Sequence, residues 1–137
     1  MSEEKKITVS VHALLENSEG KFALVLRSTK SSWGIGEWQL PGGKMEWGEK
    51  PIDTLEREVF EETGLKILDT PKLLGLHTAQ LVAKGNNYHT VQLIYRAKVD
   101  GTIRLSSEHD DYKWVSLEEA KMGPLATGLH KTLMEIV

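Results

Sequence analysis

At 137 residues, 39% apolar and 27% charged with a formal net charge of −3, the chain has the composition and length of one ordinary globular domain, read here as residues 1–137. No apolar run approaches the roughly 18 residues needed to span a bilayer, and the opening "MSEEKKITVSVHALL" lacks the small-residue cleavage site of a signal peptide. The absence of cysteine excludes disulfides and thiolate metal sites and makes the cytoplasm the expected compartment.

In chain order, residues 7–16 alternate apolar with small or polar side chains and predict a strand. "NSEG" is turn chemistry, and residues 21–28 predict a second strand that would close a hairpin with the first. A Ser- and Gly-rich loop follows, then a short strand "WQL" stopped by Pro41 and a loop "PGGKMEWGE". The next element is a helix with Pro51 in its first turn and Gly64 as a left-handed C-terminal cap. Lys50 is a poor N-cap, which leaves that task to Glu49 or water. Residues 72–83 and 88–99 predict two strands around the loop "KGNN". "TIRLSS" predicts a further short strand and residues 111–116 the last one. Ser116 and Glu119 form a capping box for a short helix ended by Gly123 and Pro124. Leu125, Leu129, Leu133 and Ile136 recur at helical spacing, so the chain ends in an amphipathic helix, weakened at Gly128 by about 1 kcal/mol relative to alanine. Strands with helices among and after them predict a mixed sheet covered by helices.

The charge is not spread evenly. Residues 43–65 hold seven acids (Glu46, Glu49, Asp53, Glu56, Glu58, Glu61, Glu62) against three bases (Lys44, Lys50, Arg57), a net −4 that exceeds the excess of the whole chain. A local acidic cluster in a neutral background points to a cation site and away from a nucleic-acid binder, which would carry a basic patch. On the helix, Ile52, Leu55 and Val59 form the core-facing stripe. Glu58, Glu61 and Glu62 share the neighbouring arc at i, i+3 and i+4, with Glu62 closest to the stripe and therefore the least solvated. A charge-rich helix is ordinarily a solvated face. Here the glutamates adjoin the apolar stripe instead of opposing it, and within the helix no lysine at i±4 balances them; only Arg57 is near. Like charges at i, i+4 cost about 0.2–0.5 kcal/mol per exposed pair, and more when buried. A bound divalent cation offsets that cost, and an all-oxygen donor set suits Mg²⁺ or Mn²⁺. Gly42 and Gly43 let backbone approach a ligand closely, and Arg57 can orient a carboxylate or contact a phosphate.

Gly43, Glu49 and then Arg57-Glu58-Val59-Phe60-Glu61-Glu62-Thr63-Gly64-Leu65 match the complete Nudix box, Gly-x5-Glu-x7-Arg-Glu-U-x-Glu-Glu-x-Gly-U with U aliphatic, at all nine specified positions. The chain thus resembles the Nudix hydrolases of the MutT type, and "WQLPGG" and "DYKWVSLEEA" extend the likeness over most of its length. The resemblance implies an α+β fold, an α/β/α sandwich with a mixed β-sheet flanked by helices. It also implies Mg²⁺- or Mn²⁺-dependent hydrolysis of a nucleoside diphosphate linked to another moiety. By the same resemblance Glu58, Glu61 and Glu62 would hold metal, with Glu58 alternatively a base. Gly43 would give a backbone ligand or close approach, Arg57 would orient glutamates, and Glu49 and Gly64 would be structural. Family members often recruit the catalytic base from a late loop. Glu108, six residues before Trp114, is the candidate here, against the plain reading of an exposed loop acid. Trp33 and Trp47 are candidates to stack a nucleobase or merely to cover the core, and Tyr88 and His89 are candidates for substrate contact. Trp114 reads as packing, and His12 and His77 as structural histidines. Three functions compete: a (deoxy)nucleoside triphosphate pyrophosphohydrolase, a nucleotide-sugar or dinucleotide hydrolase, and a non-catalytic nucleotide-binding module. Gln80 stands where ADP-ribose hydrolases often carry proline, and Leu81, Val82 and Ala83 where diadenosine-polyphosphate hydrolases often carry tyrosine. Both lean against those two substrates. A small-molecule nucleotide is the expected partner, with neither nucleic acid nor membrane; the oligomeric state is not legible.

Overall fold

The computed structural model describes residues 4–30 and 36–137. Its elements are β1 (Lys5–Glu16), β2 (Phe22–Arg27), β3 (Trp38–Gln39), β4 (Gly42–Lys44), α1 (Pro51–Thr63), β5 (Lys66–Ile67), β6 (Lys72–Ala83), β7 (Asn86–Asp100), β8 (His109–Val115), α2 (Leu117–Met122) and α3 (Leu129–Ile136), with a 3-10 turn at Ala126–Gly128. β1 is central because both its edges are used. One runs parallel to β7 from Lys5 opposite Asn87 to Glu16 opposite Lys98, and the other meets β4, with His12 opposite Gly42. The expected β1–β2 hairpin is therefore paired only at its base, Glu16 opposite Phe22. β2 turns away to pair with β3 and β8. β6 lies antiparallel on the far side of β7.

Period-two alternation sorts β1 between two cores. Val11, Ala13 and Leu15 pack with Leu55 and Val59 of α1 on one face. Leu14 packs with Phe22, Ile94 and the α2 and α3 residues Ala120, Leu129 and Leu133 on the other. Each such fully buried side chain contributes roughly 1.5–3 kcal/mol relative to exposure. The result is the expected mixed sheet between helical layers.

Four local expectations are corrected. The run after Pro41, read as loop, contains β4, because Gly42 and Gly43 let it lie against β1. "TIRLSS" is not a strand: Val99 and Asp100 at the end of β7 already pair with β5, and Arg104 and Ser106 instead donate to the last carbonyls of α1. The hairpin between β6 and β7 is tighter than "KGNN". Lys84 and Gly85, both left-handed at φ 50° and 77°, form its two-residue turn, as a twisted hairpin requires. Gly128 is left-handed at φ 73° and precedes α3, so it starts that helix and does not weaken its interior.

Candidate active site

The acidic helix is fixed at both ends. Gly64, at φ 73°, turns its N–H back to the Phe60 carbonyl (2.9 Å). Two further N–H groups come from the segment that follows β7: Arg104 to the Thr63 carbonyl (2.8 Å) and Ser106 to the Glu62 carbonyl (3.3 Å). That segment runs on into Glu108, whose carbonyl accepts the Ser28 N–H (2.9 Å) at the end of β2. Capping α1 and delivering Glu108 to it are thus one structural act. At the other end Lys50 supplies no side-chain cap. Glu49 does not cap the helix either. It accepts the Glu46 N–H and the Thr54 hydroxyl, and forms a fork with Arg57, whose Nε and Nη2 both stand 2.9 Å from its carboxylate. This pairing holds Glu49 down at about 2.

Arg57, so anchored, reaches Glu58 at 2.9 Å and Glu61 at 3.5 Å through Nη1. The three glutamates then differ by environment. Glu61 has a side chain 56% exposed, Glu58 16% and Glu62 3%. The expectation that Glu62 is the least solvated agrees with this. Burial pushes the Glu58 carboxyl up against the pull of Arg57. Burial pushes Glu62 well above the usual carboxylate range, opposed by the Gly42 N–H (2.8 Å) and reinforced by repulsion from Glu58 and Glu108. His109 lies behind Glu62, its Nε2 3.7 Å from the carboxylate and 2.9 Å from the Gln39 amide nitrogen. Its burial lowers it to about 4, so it is neutral at pH 7. The two glycines are needed for different reasons. A Cβ on Gly42 would lie 1.9 Å from the Val11 carbonyl oxygen, whereas one on Gly43 would lie 2.4 Å from the Glu58 carboxyl.

These groups border a cleft of about 380 Å³, within the small-molecule range of roughly 300–1,000 Å³. Gly43, Glu58, Glu61, Glu62, Glu108 and Tyr88 of the sequence candidates all line it. Trp47 does not: its side chain is fully exposed. Trp33 lies outside the described residues. His89 is exposed and Trp114 packs against the α1-side core. His77 is engaged with Thr132 (2.6 Å) and the Thr127 carbonyl (2.8 Å). His12 is buried between the Leu40 carbonyl and the Ser10 hydroxyl, both at 3.1 Å, and also borders the cleft. Sequence reasoning missed Arg27, Lys44 and the polar wall formed by Thr8, Ser10, Thr90 and Gln92. The signal for Arg27 was a cation closing an otherwise apolar strand, "FALVLR". Its charge is within electrostatic reach of Glu62 and Glu108.

Among the described residues no three carboxylate or imidazole side chains already stand together as a cage for an ion. A Mg²⁺ ion does not require one, since it keeps several waters and binds through one or two carboxylates together with substrate phosphates. The chemistry here fits that mode: oxygen donors only, two carboxyls whose charge is unfavourable without a cation, and a glycine that leaves the space beside Glu58 open.

A family model described as the NUDIX domain matches residues 6–136. The crystal structure of a MutT protein from Methanosarcina mazei Go1 superposes with a TM-score of 0.82 at 31% identity, over 98% of this chain and 96% of that one. A MutT-like protein of Streptomyces ambofaciens is 31% identical over 113 residues, 82% of this chain, which spans 66% of that relative's length. The asymmetrical bis(5'-nucleosyl)-tetraphosphatase of Mus musculus is 32% identical over 108 residues, 77% of this chain and 71% of the mouse protein. With the box residues gathered at one cleft and the family match running almost end to end, the chain belongs to the NUDIX family and is a Nudix pyrophosphohydrolase.

Proposed function

We propose that the protein, acting as a single domain in the cytoplasm, hydrolyses a pyrophosphate bond of a (deoxy)nucleoside triphosphate with Mg²⁺ or Mn²⁺. The observation that carries this reading is the meeting, in one cleft, of three glutamates from α1, a fourth from a loop remote in sequence, and the cations Arg27 and Lys44. Glu58, Glu61, Glu62 and the Gly43 backbone would hold the metal. When bound, the ion draws charge off the phosphates and eases ionisation of water. The remaining work falls to the chain. Arg27 and Lys44 offset phosphate charge from the cleft wall. Arg57, itself held by Glu49, keeps Glu58 and Glu61 from folding back against each other. Glu108, on a loop tied to α1 and β2, takes the proton of the attacking water. The water oxygen forms a new bond to phosphorus as the bridging oxygen leaves with the departing phosphate. Tyr88, which lines the cleft, would contact the nucleoside.

A second reading, hydrolysis of a dinucleoside polyphosphate, is favoured by the likeness to the mouse tetraphosphatase. A substrate panel separates them: nucleoside triphosphates, dinucleoside polyphosphates and nucleotide sugars, each with Mg²⁺ and with excess EDTA. The first reading expects triphosphates to yield a monophosphate and pyrophosphate with the highest kcat/KM. Faster turnover of dinucleotides would select the second, and full turnover in EDTA would overturn the metal assignment.

A further inference from the structure

Beyond the charged half of the cleft lies a hydrogen-bonded chain that the mechanism above does not use. Gln92 is only 4% exposed yet lines the cleft. Its amide oxygen accepts from the Thr127 hydroxyl (3.2 Å). Thr127 is unusual in its own right. It is a β-branched residue in the left-handed region at φ 62°, directly beside a glycine that adopts the same conformation freely. Such a strained position persists where its surroundings over-determine it. Here the Thr127 carbonyl is held by His77 Nε2 (2.8 Å), and His77 Nδ1 meets the Thr132 hydroxyl (2.6 Å). One end of this relay has a set direction: a carbonyl only accepts, so His77 Nε2 donates to Thr127. The Thr127 hydroxyl has one proton and lies between the Ala126 carbonyl (2.6 Å) and the Gln92 oxygen.

We propose that Gln92 reads the nucleobase, that Thr127 is its positioning residue, and that the amide so held offers N–H donors to the cleft and selects bases with an exocyclic oxygen. This assignment rests on the reading of the cleft as a nucleotide site. Guanine and uracil or thymine present an exocyclic oxygen acceptor, whereas adenine and cytosine present an amino donor at the same place. An N–H donor that meets an amino group in place of water is left unpaired, a mismatch that costs about tenfold in binding.

The test compares size-matched pairs, GTP with ATP and UTP with CTP, with Mg²⁺. The unaltered protein should favour GTP and UTP by about tenfold in kcat/KM. Gln92→Glu, which exchanges the N–H donors for an acceptor, should invert both preferences. Thr127→Gly suits the left-handed backbone and removes the hydroxyl, so it guards against a variant that fails to fold. It should erase the preference chiefly through KM, with Tm held or raised. A preference for ATP and CTP in the unaltered protein would mean that the amide presents its oxygen, with Thr127 bonded to Ala126 instead, and would overturn the assignment. So would a ranking that Gln92→Glu and Thr127→Gly leave unchanged while all four nucleotides are hydrolysed. Failure to hydrolyse any of the four would overturn the triphosphate reading itself and this assignment with it.

Discussion

The helical wall of the cleft and the sheet wall draw on the chain in opposite ways. Gly42, Gly43, Glu58, Glu61 and Glu62, with Glu49 and Arg57 behind them, come from one continuous segment, whereas Ser10 and Gln92 are neighbours only because β1 and β7 pair in parallel. The first wall is charged, and two of its carboxyls are destabilised by burial. The second is neutral and held by directed bonds to the Leu40 carbonyl and Thr127. Like charges at helical spacing can be set by a short sequence. A donor and acceptor pattern across two strands exists only after the sheet has formed. Chemistry common to a family can therefore reside in the first wall, and discrimination among substrates in the second.

The largest expected effects strike the charged wall. Glu108→Gln should lower kcat by roughly 10²–10⁴-fold with KM and metal affinity little changed, as removal of a general base requires. A kcat equal to that of the unaltered protein would return Glu108 to the status of a loop acid and leave Glu58 as the base. Glu62→Gln should lower activity at least about 100-fold, the scale at which a metal-site group is lost. The same variant should leave the metal-free protein no less stable, because the amide keeps an oxygen for the Gly42 N–H and removes the repulsion from Glu58 and Glu108. Near-normal turnover combined with a lower apo Tm would make Glu62 a purely structural partner of Gly42 and confine the metal to Glu58 and Glu61.

The same contrast explains what could be read without a structure. Pro51, Gly64, the stripe of Leu55 and Val59 and the relative depth of Glu62 all follow from helical periodicity and end signals, and all match the structure. The errors fall where a partner remote in sequence decides. β2 abandons the hairpin because β4 and β7 already occupy both edges of β1. Residues 102–106 abandon a strand because the carbonyls at the end of α1 offer better acceptors than an edge already taken by β5. Arg27 and Gln92 were missed as site residues for the same reason: the cation that closes "FALVLR" is a faint signal, and neither it nor "TVQLIY" announces that both border one cleft.

A smaller effect should separate the two glycines at the corner where the walls join. Gly43→Ala puts a methyl into the space of the Glu58 carboxyl, a flexible side chain that can shift. The protein should fold, with activity down by about 10–100-fold. Gly42→Ala instead meets the Val11 backbone at a φ of 152° and should lower Tm before any effect on activity can be measured. A folded, fully active Gly43→Ala variant would show that the Glu58 position does not govern turnover.

The subtlest test uses pH, because the two walls should respond to it with opposite sign. His12 on the sheet wall is fully buried, and that burial lowers it to about 4, against about 6.5 in the unfolded chain. Between these values the unfolded chain binds a proton that the folded one refuses, so stability falls as pH drops from about 6.5 toward about 4. His109 adds in the same direction. Glu62 on the helical wall is raised by burial, so the folded protein keeps a proton that the unfolded chain has released, and stability falls as pH rises from the ordinary carboxylate range through its folded value. Each proton contributes a slope of at most about 1.4 kcal/mol per pH unit. Urea unfolding of the metal-free protein across pH 4–8 reads the sum of these opposed contributions, and variants separate them. His12→Gln should reduce the component of stability that rises with pH, and Glu62→Gln the component that falls with it. If His12→Gln leaves the slope between pH 4 and 6.5 intact, then burial does not hold His12 neutral in the folded protein. The ordered polarity of the sheet wall would then lose its first link.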